Sequence, residues 1–156
     1  MKEGRIDHQS FLVKNIEEKA SHLSKLLGVG FEVWTITPKK CRYRTSNETY
    51  SYRVAIATIG SGKIELIQPV AGESHLSEQL SQQGEGNHHT AFTFPNYKAF
   101  DNVRKALISQ DYLSIQFGKT EGFFEFEYFE MPELGTIIEL LWVEQMPESD
   151  GTIFSL

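Results

Sequence analysis

A chain of 156 residues, 40% hydrophobic and 23% charged, has the size and composition of an ordinary soluble globular domain. Its formal net charge of −6 disfavours binding to nucleic acid or to an anionic membrane, because both need a basic surface. Cys41 is the only cysteine, which excludes an intrachain disulfide, and no apolar run approaches the length of a membrane span. These features predict a cytoplasmic protein.

The first half of the chain predicts a strand, a helix and three more strands. Strand 5–13 precedes Asn15, a residue type that begins helices, and Gly28, which ends them. The helix between them has its apolar residues at helical spacing: Ile16, Ala20, Leu23 and Leu27. The later strands are predicted at 30–37, 52–59 and 63–68, with a polar loop from Pro38 to Asn47.

The second half repeats this order after a polar segment, 71–86, that predicts a short linker helix. Asn15 follows His8 by seven positions, and Asn96 follows His89 by the same distance. A helical stripe and three strands then recur, with the strands near 112–117, 123–129 and 136–142. We therefore predict an α+β fold of two βαβββ modules in one chain, with curved mixed sheets around a shared cup. Their bounds are about 5–70 and 87–143, and a tail covers 144–156.

Two histidines and two glutamates occupy equivalent places in this repeat. Ile64-Glu65-Leu66-Ile67 returns as Ile138-Glu139-Leu140-Leu141, and each copy lies downstream of a strand that opens with histidine, His8 or His89. Strand alternation separates each of these polar residues from its apolar neighbours and directs it into the cup. Two imidazoles and two carboxylates suit one divalent ion, such as Zn, Ni, Co, Mn or Fe(II). We predict this ion on His8, Glu65, His89 and Glu139.

Other polar residues have less specific interpretations. His88 has the opposite strand parity to His89, which predicts a packing or supporting role, and His22 and His75 are expected to be solvated. Glu125 and Glu127 share one face of a strand. If that face points outward it is a polar surface, and if it points inward either residue is a candidate general base. Glu48 lies in the polar loop, where solvent exposure is the expected state.

Several motifs together resemble the vicinal oxygen chelate superfamily, which includes glyoxalase I, methylmalonyl-CoA epimerase, extradiol dioxygenases and bleomycin-resistance proteins. The resemblance runs from Ile6 to Trp142. It depends on four segments: 6–8, 64–69, 86–92 and 135–140. In that superfamily paired βαβββ modules form a cup around a metal, and its ligand positions correspond to His8, Glu65, His89 and Glu139.

Within the superfamily, the resemblance favours an isomerase or lyase that acts through a metal-stabilised enolate, with a methylmalonyl-CoA epimerase-like enzyme as one form of it. Glu139, or Glu48 if its loop folds inward, would move the proton. The epimerases carry a catalytic glutamate in the turn before the third strand, and an ungapped count back from Glu65 reaches Thr49, one position from Glu48. Leu12 stands where glyoxalase I has an arginine, which counts against lactoylglutathione lyase activity.

The resemblance also suggests partners and alternative functions. An acyl-CoA thioester is the expected substrate, and the basic residues Lys39, Lys40, Arg42 and Arg44 either meet its phosphates or form a solvated hairpin. An extradiol dioxygenase would use His8, His89 and Glu139 with iron and leave Glu65 superfluous. A non-enzymatic binding or resistance protein of this fold is the third alternative. A homodimer is expected, because open sheet edges need covering.

Overall fold

The computed structural model describes residues 3–155, which form ten strands and three α-helices. The elements of the first half are β1 (Arg5–Leu12), α1 (Ile16–Leu27), β2 (Phe31–Ile36), β3 (Lys40–Tyr43), β4 (Ser51–Ile59), β5 (Gly62–Ala71) and α2 (His75–Gln83). The second half contains β6 (Gly86–Thr93), α3 (Tyr97–Ser109), β7 (Ser114–Thr120), β8 (Phe124–Met131), β9 (Thr136–Val143) and β10 (Gly151–Ile153). A short 3-10 turn, Pro132–Leu134, joins β8 to β9. The predicted α+β class is confirmed.

The helices begin and end where local side-chain chemistry predicts. Asn15 accepts a hydrogen bond from the backbone N–H of Glu18 at 3.0 Å, and Asn96 accepts one from Ala99 at 2.9 Å. Gly28 ends α1 with a φ of 66°, in the left-handed region that glycine adopts without strain. Equivalent caps after equivalent strands set both helices at the same place in the repeat.

All ten strands form one curved, unclosed mixed sheet in the order β10-β2-β4-β5-β1-β6-β9-β8-β7-β3. The two halves are related by matching pairs, since β1 lies parallel to β5 and β6 lies parallel to β9. An antiparallel pair, β1 with β6, joins the halves into a single sheet. The strands that carry the predicted histidines and glutamates are therefore four neighbours at its centre, β5-β1-β6-β9, each about 4.8 Å from the next.

Two short edge strands correct the predicted loop and tail. Lys40–Tyr43 was expected within a polar loop but forms β3, which pairs antiparallel with β7. Gly151–Ile153, in the predicted tail, pairs with β2. Neither segment shows the alternation of polar and apolar residues that predicts a strand. Each is extended because its backbone forms hydrogen bonds with a strand distant in the sequence. β2 and β3 stand near opposite ends of the strand order, yet only residues 37–39 join them, about 14 Å at full extension. The sheet must therefore curl until its ends approach each other.

The apolar core is divided between the two faces of this sheet. Two buried clusters lie beneath the outer helices, one around Ile16 and Phe31 near α1 and the other around Phe100 and Phe129 near α3. A third cluster extends along the concave side, where Leu76 of α2 is fully buried. The predicted linker helix is therefore part of the core. Across residues 3–155, no helix is both long enough and apolar enough to cross a membrane.

Candidate metal centre

His8, His89 and Glu139 converge at the centre of the concave face. The Nε2 atoms of the two imidazoles are 3.4 Å apart, and His89 Nε2 is 2.8 Å from Glu139 Oε2. One ligand atom from each of the three residues lies within 4.8 Å of the others. All three side chains are buried, with His89 completely so. The strand positions that predicted these residues thus bring together two imidazoles and a carboxylate.

Glu65 lies beside this cluster and contacts both imidazoles. Its Oε2 is 3.5 Å from His8 Nε2, and its Oε1 is 3.7 Å from His89 Nε2. Ser10, directly opposite Glu65 in the β1–β5 register, donates a hydrogen bond to Glu65 Oε1 at 2.7 Å. This bond holds one carboxylate oxygen and leaves the other directed at His8. All four predicted residues therefore lie in one place.

Neighbouring charges determine the ionisation of the cluster. Burial alone would lower the pKa of His8, but Glu65, Asp7 and Glu139 together raise it to about 11. Asp7 Oδ2 lies 2.9 Å from His8 Nδ1, and this hydrogen bond lowers the pKa of Asp7 to about 2. Burial opposes ionisation of Glu65, but the adjacent His8 lowers its pKa overall. These shifts keep Asp7 and Glu65 ionised, and their negative charge attracts a cation.

The donor atoms fit a divalent transition metal. Imidazole nitrogen with carboxylate oxygen is the set that Zn, Ni, Co, Mn and Fe(II) accept, and a bound ion would replace the proton that His8 otherwise holds. Burying two carboxylates on sheet strands is costly unless positive charge accompanies them. Asp7 accepts the second ring N–H of His8, which is the arrangement that orients metal-bound histidines. The cluster can therefore hold a metal ion.

A cavity of about 630 Å³ opens above the cluster. Its size lies within the range of small-molecule sites. Much of its wall is apolar or aromatic, from residues such as Trp34, Ile36, Val54, Phe124, Phe126 and Leu141. Arg5, Lys63, Glu32 and Thr93 contribute polar groups. The concave face is therefore not filled by its own aromatic side chains and has room for a ligand over the His and Glu cluster.

Two tyrosines form part of this wall. Tyr52 and Tyr128 line the cavity, and both side chains are buried. Burial, followed by the nearby carboxylates and phenols, raises both pKa values well above the ordinary tyrosine range, so both remain protonated donors. A strand tyrosine usually indicates core packing, and both residues also belong to the buried cluster of the concave side.

Glu48 and the basic residues do not reach the cavity. Glu48 is exposed and is not among the described residues that line it. Arg42 contacts Ser114 and Glu127, and Arg44 pairs with Glu78 at 2.9 Å. Lys39 and Lys40 also lie outside the described lining of the cavity. The structure therefore brings Glu139 to the cluster but not Glu48. Among the described residues, Arg5 and Lys63 are the cations that border the cavity.

Glu125 and Glu127 point away from the cavity. Phe124, Phe126 and Tyr128 on the same strand line it, so the intervening glutamates occupy the opposite face. Both are nevertheless buried, and burial raises the pKa of Glu127. Their neighbours are Lys119 at 3.3 Å from Glu125, and Ser114, Arg42 and Arg104 around Glu127. These two glutamates are charge partners of the outer face and not bases of the cup.

The remaining histidines differ in their surroundings. His22 is exposed, as predicted. The prediction for His75 is wrong, because this residue is half-buried and its Nδ1 lies 3.0 Å from His88 Nε2. His88 is buried and its Nδ1 lies 2.7 Å from His89 Nδ1, in agreement with its predicted supporting role. Burial first, and then nearby positive groups, lower the pKa of His75 to about 4 and that of His88 well below its usual range.

Comparison with known proteins identifies the family. A family model described as the Glyoxalase/Bleomycin resistance protein/Dioxygenase superfamily matches residues 7–122, and the chain belongs to this superfamily. The uncharacterized protein YqjC of Bacillus subtilis (strain 168) is 31% identical over 88 residues. That match covers 56% of each chain, so this protein spans little more than half of that relative.

Solved structures of similar fold include three bacterial proteins. Hypothetical protein BH1468 from Bacillus halodurans C-125 is 17% identical with a TM-score of 0.64, covering 93% of this chain and 98% of that one. Methylmalonyl-CoA epimerase from Mycobacterium tuberculosis is 16% identical with a TM-score of 0.60, covering 92% and 88%. The Streptomyces coelicolor epimerase is 20% identical with a TM-score of 0.63, covering 88% and 92%. At these identities the likeness is one of fold.

Proposed function

We propose that this protein is a divalent-metal-dependent isomerase or lyase that moves a proton at a carbon next to a carbonyl group. The observation that carries the proposal is the convergence of His8, His89 and Glu139, with Glu65 beside them, at the base of an open cavity. These four residues would hold the ion. When bound, it would polarise the carbonyl oxygen of a substrate and lower the pKa of the adjacent C–H.

The residues of the chain supply the other parts of the reaction. Glu139 is the proposed base, because its carboxylate lines the cavity and lies on the same concave wall as Tyr128. A proton leaving the substrate carbon would pass to a Glu139 oxygen and return to carbon from there. Tyr52 and Tyr128 would donate hydrogen bonds to substrate oxygen, since both line the cavity and their raised pKa values keep the hydroxyls protonated. The apolar wall would exclude water around this step.

An acyl-CoA thioester remains the proposed substrate. Supporting evidence comes from fold neighbours of known substrate, including an epimerase bound to methylmalonyl-CoA and one bound to 2-nitronate-propionyl-CoA. Arg5 and Lys63, rather than the predicted basic loop, would meet the anionic part of such a ligand. Glutathione is disfavoured because Leu12, at the position of the glyoxalase arginine, is fully buried. The predicted homodimer and the cytoplasmic location stay predictions.

Solvent deuterium exchange tests the proposed reaction. We expect the wild-type protein, loaded separately with Zn, Ni, Co or Mn, to incorporate deuterium at the α-carbon of methylmalonyl-CoA in D₂O, as detected by NMR. The chelator-treated protein should show only background exchange. Absence of exchange with every acyl-CoA, and with the hemithioacetal of methylglyoxal and glutathione, under all four metals would contradict the proposal.

A ring-cleaving dioxygenase is the second candidate, and the composition of the cluster favours it. His8, His89 and Glu139 have ligand atoms within 4.8 Å of one another, and two histidines with one carboxylate are the ligand set of non-haem Fe(II) oxygenases. The contacts of Glu65 with both imidazoles favour the isomerase or lyase, because a dioxygenase would not need a fourth protein ligand. Oxygen uptake with catechols after anaerobic loading with Fe(II) would identify the dioxygenase, and its absence would exclude it.

A further inference from the structure

Three imidazoles form a continuous hydrogen-bonded chain that ends at the candidate metal centre. His75 Nδ1 lies 3.0 Å from His88 Nε2, and His88 Nδ1 lies 2.7 Å from His89 Nδ1. Half-buried His75 is the first residue of α2, whereas His88 and His89 are buried neighbours on β6. The proposed reaction uses His89 but assigns nothing to the other two rings.

A metal on His89 Nε2 would determine which nitrogen of each ring carries hydrogen. Two imidazole nitrogens at hydrogen-bond distance share one hydrogen between them. His89 Nε2 faces His8, Glu65 and Glu139, so with an ion bound there its lone pair would contact the metal and its hydrogen would lie on Nδ1. His88 Nδ1 then accepts from His89, which leaves the hydrogen of His88 on Nε2. That hydrogen is donated to His75 Nδ1, and the direction of the chain is set over all three rings.

The outer end of this chain is anchored by the start of α2. Ser74 caps the helix through a reciprocal pair of bonds with Ser77. The backbone N–H of His75 donates to Gln116 Oε1 on β7 at 2.7 Å. These contacts fix the position of the His75 ring. The His88 ring is therefore held between two partners, His75 and His89.

We propose that His88 and His75 are positioning residues of the metal centre, which hold the His89 ring in the tautomer and orientation that direct Nε2 at the ion. The inference rests on the proposed metal site but not on the reaction carried out there. The two histidines of the site differ in this respect: His8 Nδ1 has the carboxylate of Asp7 at 2.9 Å, whereas His89 Nδ1 has the imidazole of His88 at 2.7 Å. An imidazole partner orients the ring without adding another negative charge to a centre that already contains Glu65 and Glu139.

Metal titration of matched variants tests the proposal. His88→Leu removes the acceptor for His89, whereas His88→Asn retains an oxygen acceptor near the position of Nδ1. We expect His88→Leu to weaken Zn²⁺ binding about 10–100-fold, as loss of such outer hydrogen bonds does elsewhere, and His88→Asn to recover most of the affinity. His75→Leu, which leaves the His88–His89 bond intact, should weaken binding less than His88→Leu. The control is His22→Leu, at an exposed helical histidine away from the site.

Nitrogen-15 NMR of the Zn²⁺-loaded proteins provides the readout that a merely structural role would not change. The wild type should show His89 protonated at Nδ1 and metal-bound at Nε2, and His88→Asn should preserve this signature. Wild-type affinity and an unchanged His89 signal in His88→Leu would overturn the inference, as would equal losses in His88→Leu and His88→Asn. If the wild type itself bound no Zn²⁺, the metal site and this inference would both be overturned. Catalytic activity is not measured, so a wrong reaction class would leave these results unaffected.

Discussion

Replacing His89 with alanine is expected to lower the affinity for Zn²⁺, Ni²⁺, Co²⁺ or Mn²⁺ by more than about a hundredfold. The loss should exceed the 10–100-fold effect of outer-sphere partners, because it removes a nitrogen that would contact the ion directly. His89 Nε2 also faces both carboxylates, at 2.8 Å from Glu139 and 3.7 Å from Glu65. Competition titration against a chromophoric chelator measures the change.

His22→Ala is the matched control, because it removes an exposed imidazole from α1. It should bind metal as the wild type does. Equal affinity in His89→Ala and His22→Ala would place the ion elsewhere on the protein. A thermal unfolding curve for His89→Ala, recorded without metal, separates loss of the ligand from loss of the fold.

Glu139→Gln is expected to lower the rate of deuterium exchange by about 10²–10⁴-fold, the usual contribution of a positioned general base. The amide matches the carboxylate in shape and retains an oxygen that can face the ion, but it cannot take up the proton. We expect the metal affinity of this variant to fall less than that of His89→Ala. The exchange rate should be measured by NMR at saturating metal, so that occupancy does not limit it.

Glu48→Gln distinguishes the two groups predicted to transfer protons. Because Glu48 is exposed and outside the described lining of the cavity, its replacement should leave exchange within about twofold of the wild type, too small a change for a general base. A large loss in Glu48→Gln combined with a normal rate in Glu139→Gln would reverse the assignment. It would also mean that the segment between β3 and β4, which carries Glu48, folds inward when substrate binds.

The central part of the molecule was predictable because its signals are local and repeated. The equal spacing from histidine to helix cap is found in β1–α1 and β6–α3, with Asn15 and Asn96 as the caps. Strand alternation then places the histidines and glutamates on one face, and parallel pairing brings each half's pair together. These rules involve only neighbours in sequence and the period of a strand.

The features that escaped prediction depend on partners distant in the sequence. β3 and β10 are strands because β7 and β2 offer them free edges, and neither segment alternates on its own. His75 has the polar helical context of a solvated residue, and only the packing of α2 against β6 brings its ring to His88. Glu125 and Glu127 are buried on the outer face, where basic residues of β3, α3 and β7 form ion pairs with their carboxylates. Such contacts follow from the curvature of the sheet, which brings distant segments together.

A crystal structure of the metal-loaded protein, with anomalous scattering recorded at the absorption edge of the metal, tests the central claim most directly. We predict one ion per chain, about 2.0–2.2 Å from the Nε2 atoms of His8 and His89 and from an oxygen of Glu139, with Glu65 as the fourth protein ligand. The cavity above it should remain open to a small molecule. An ion found only on surface carboxylates, or a cup filled by Phe124, Phe126 and Tyr128, would contradict the proposed metal centre.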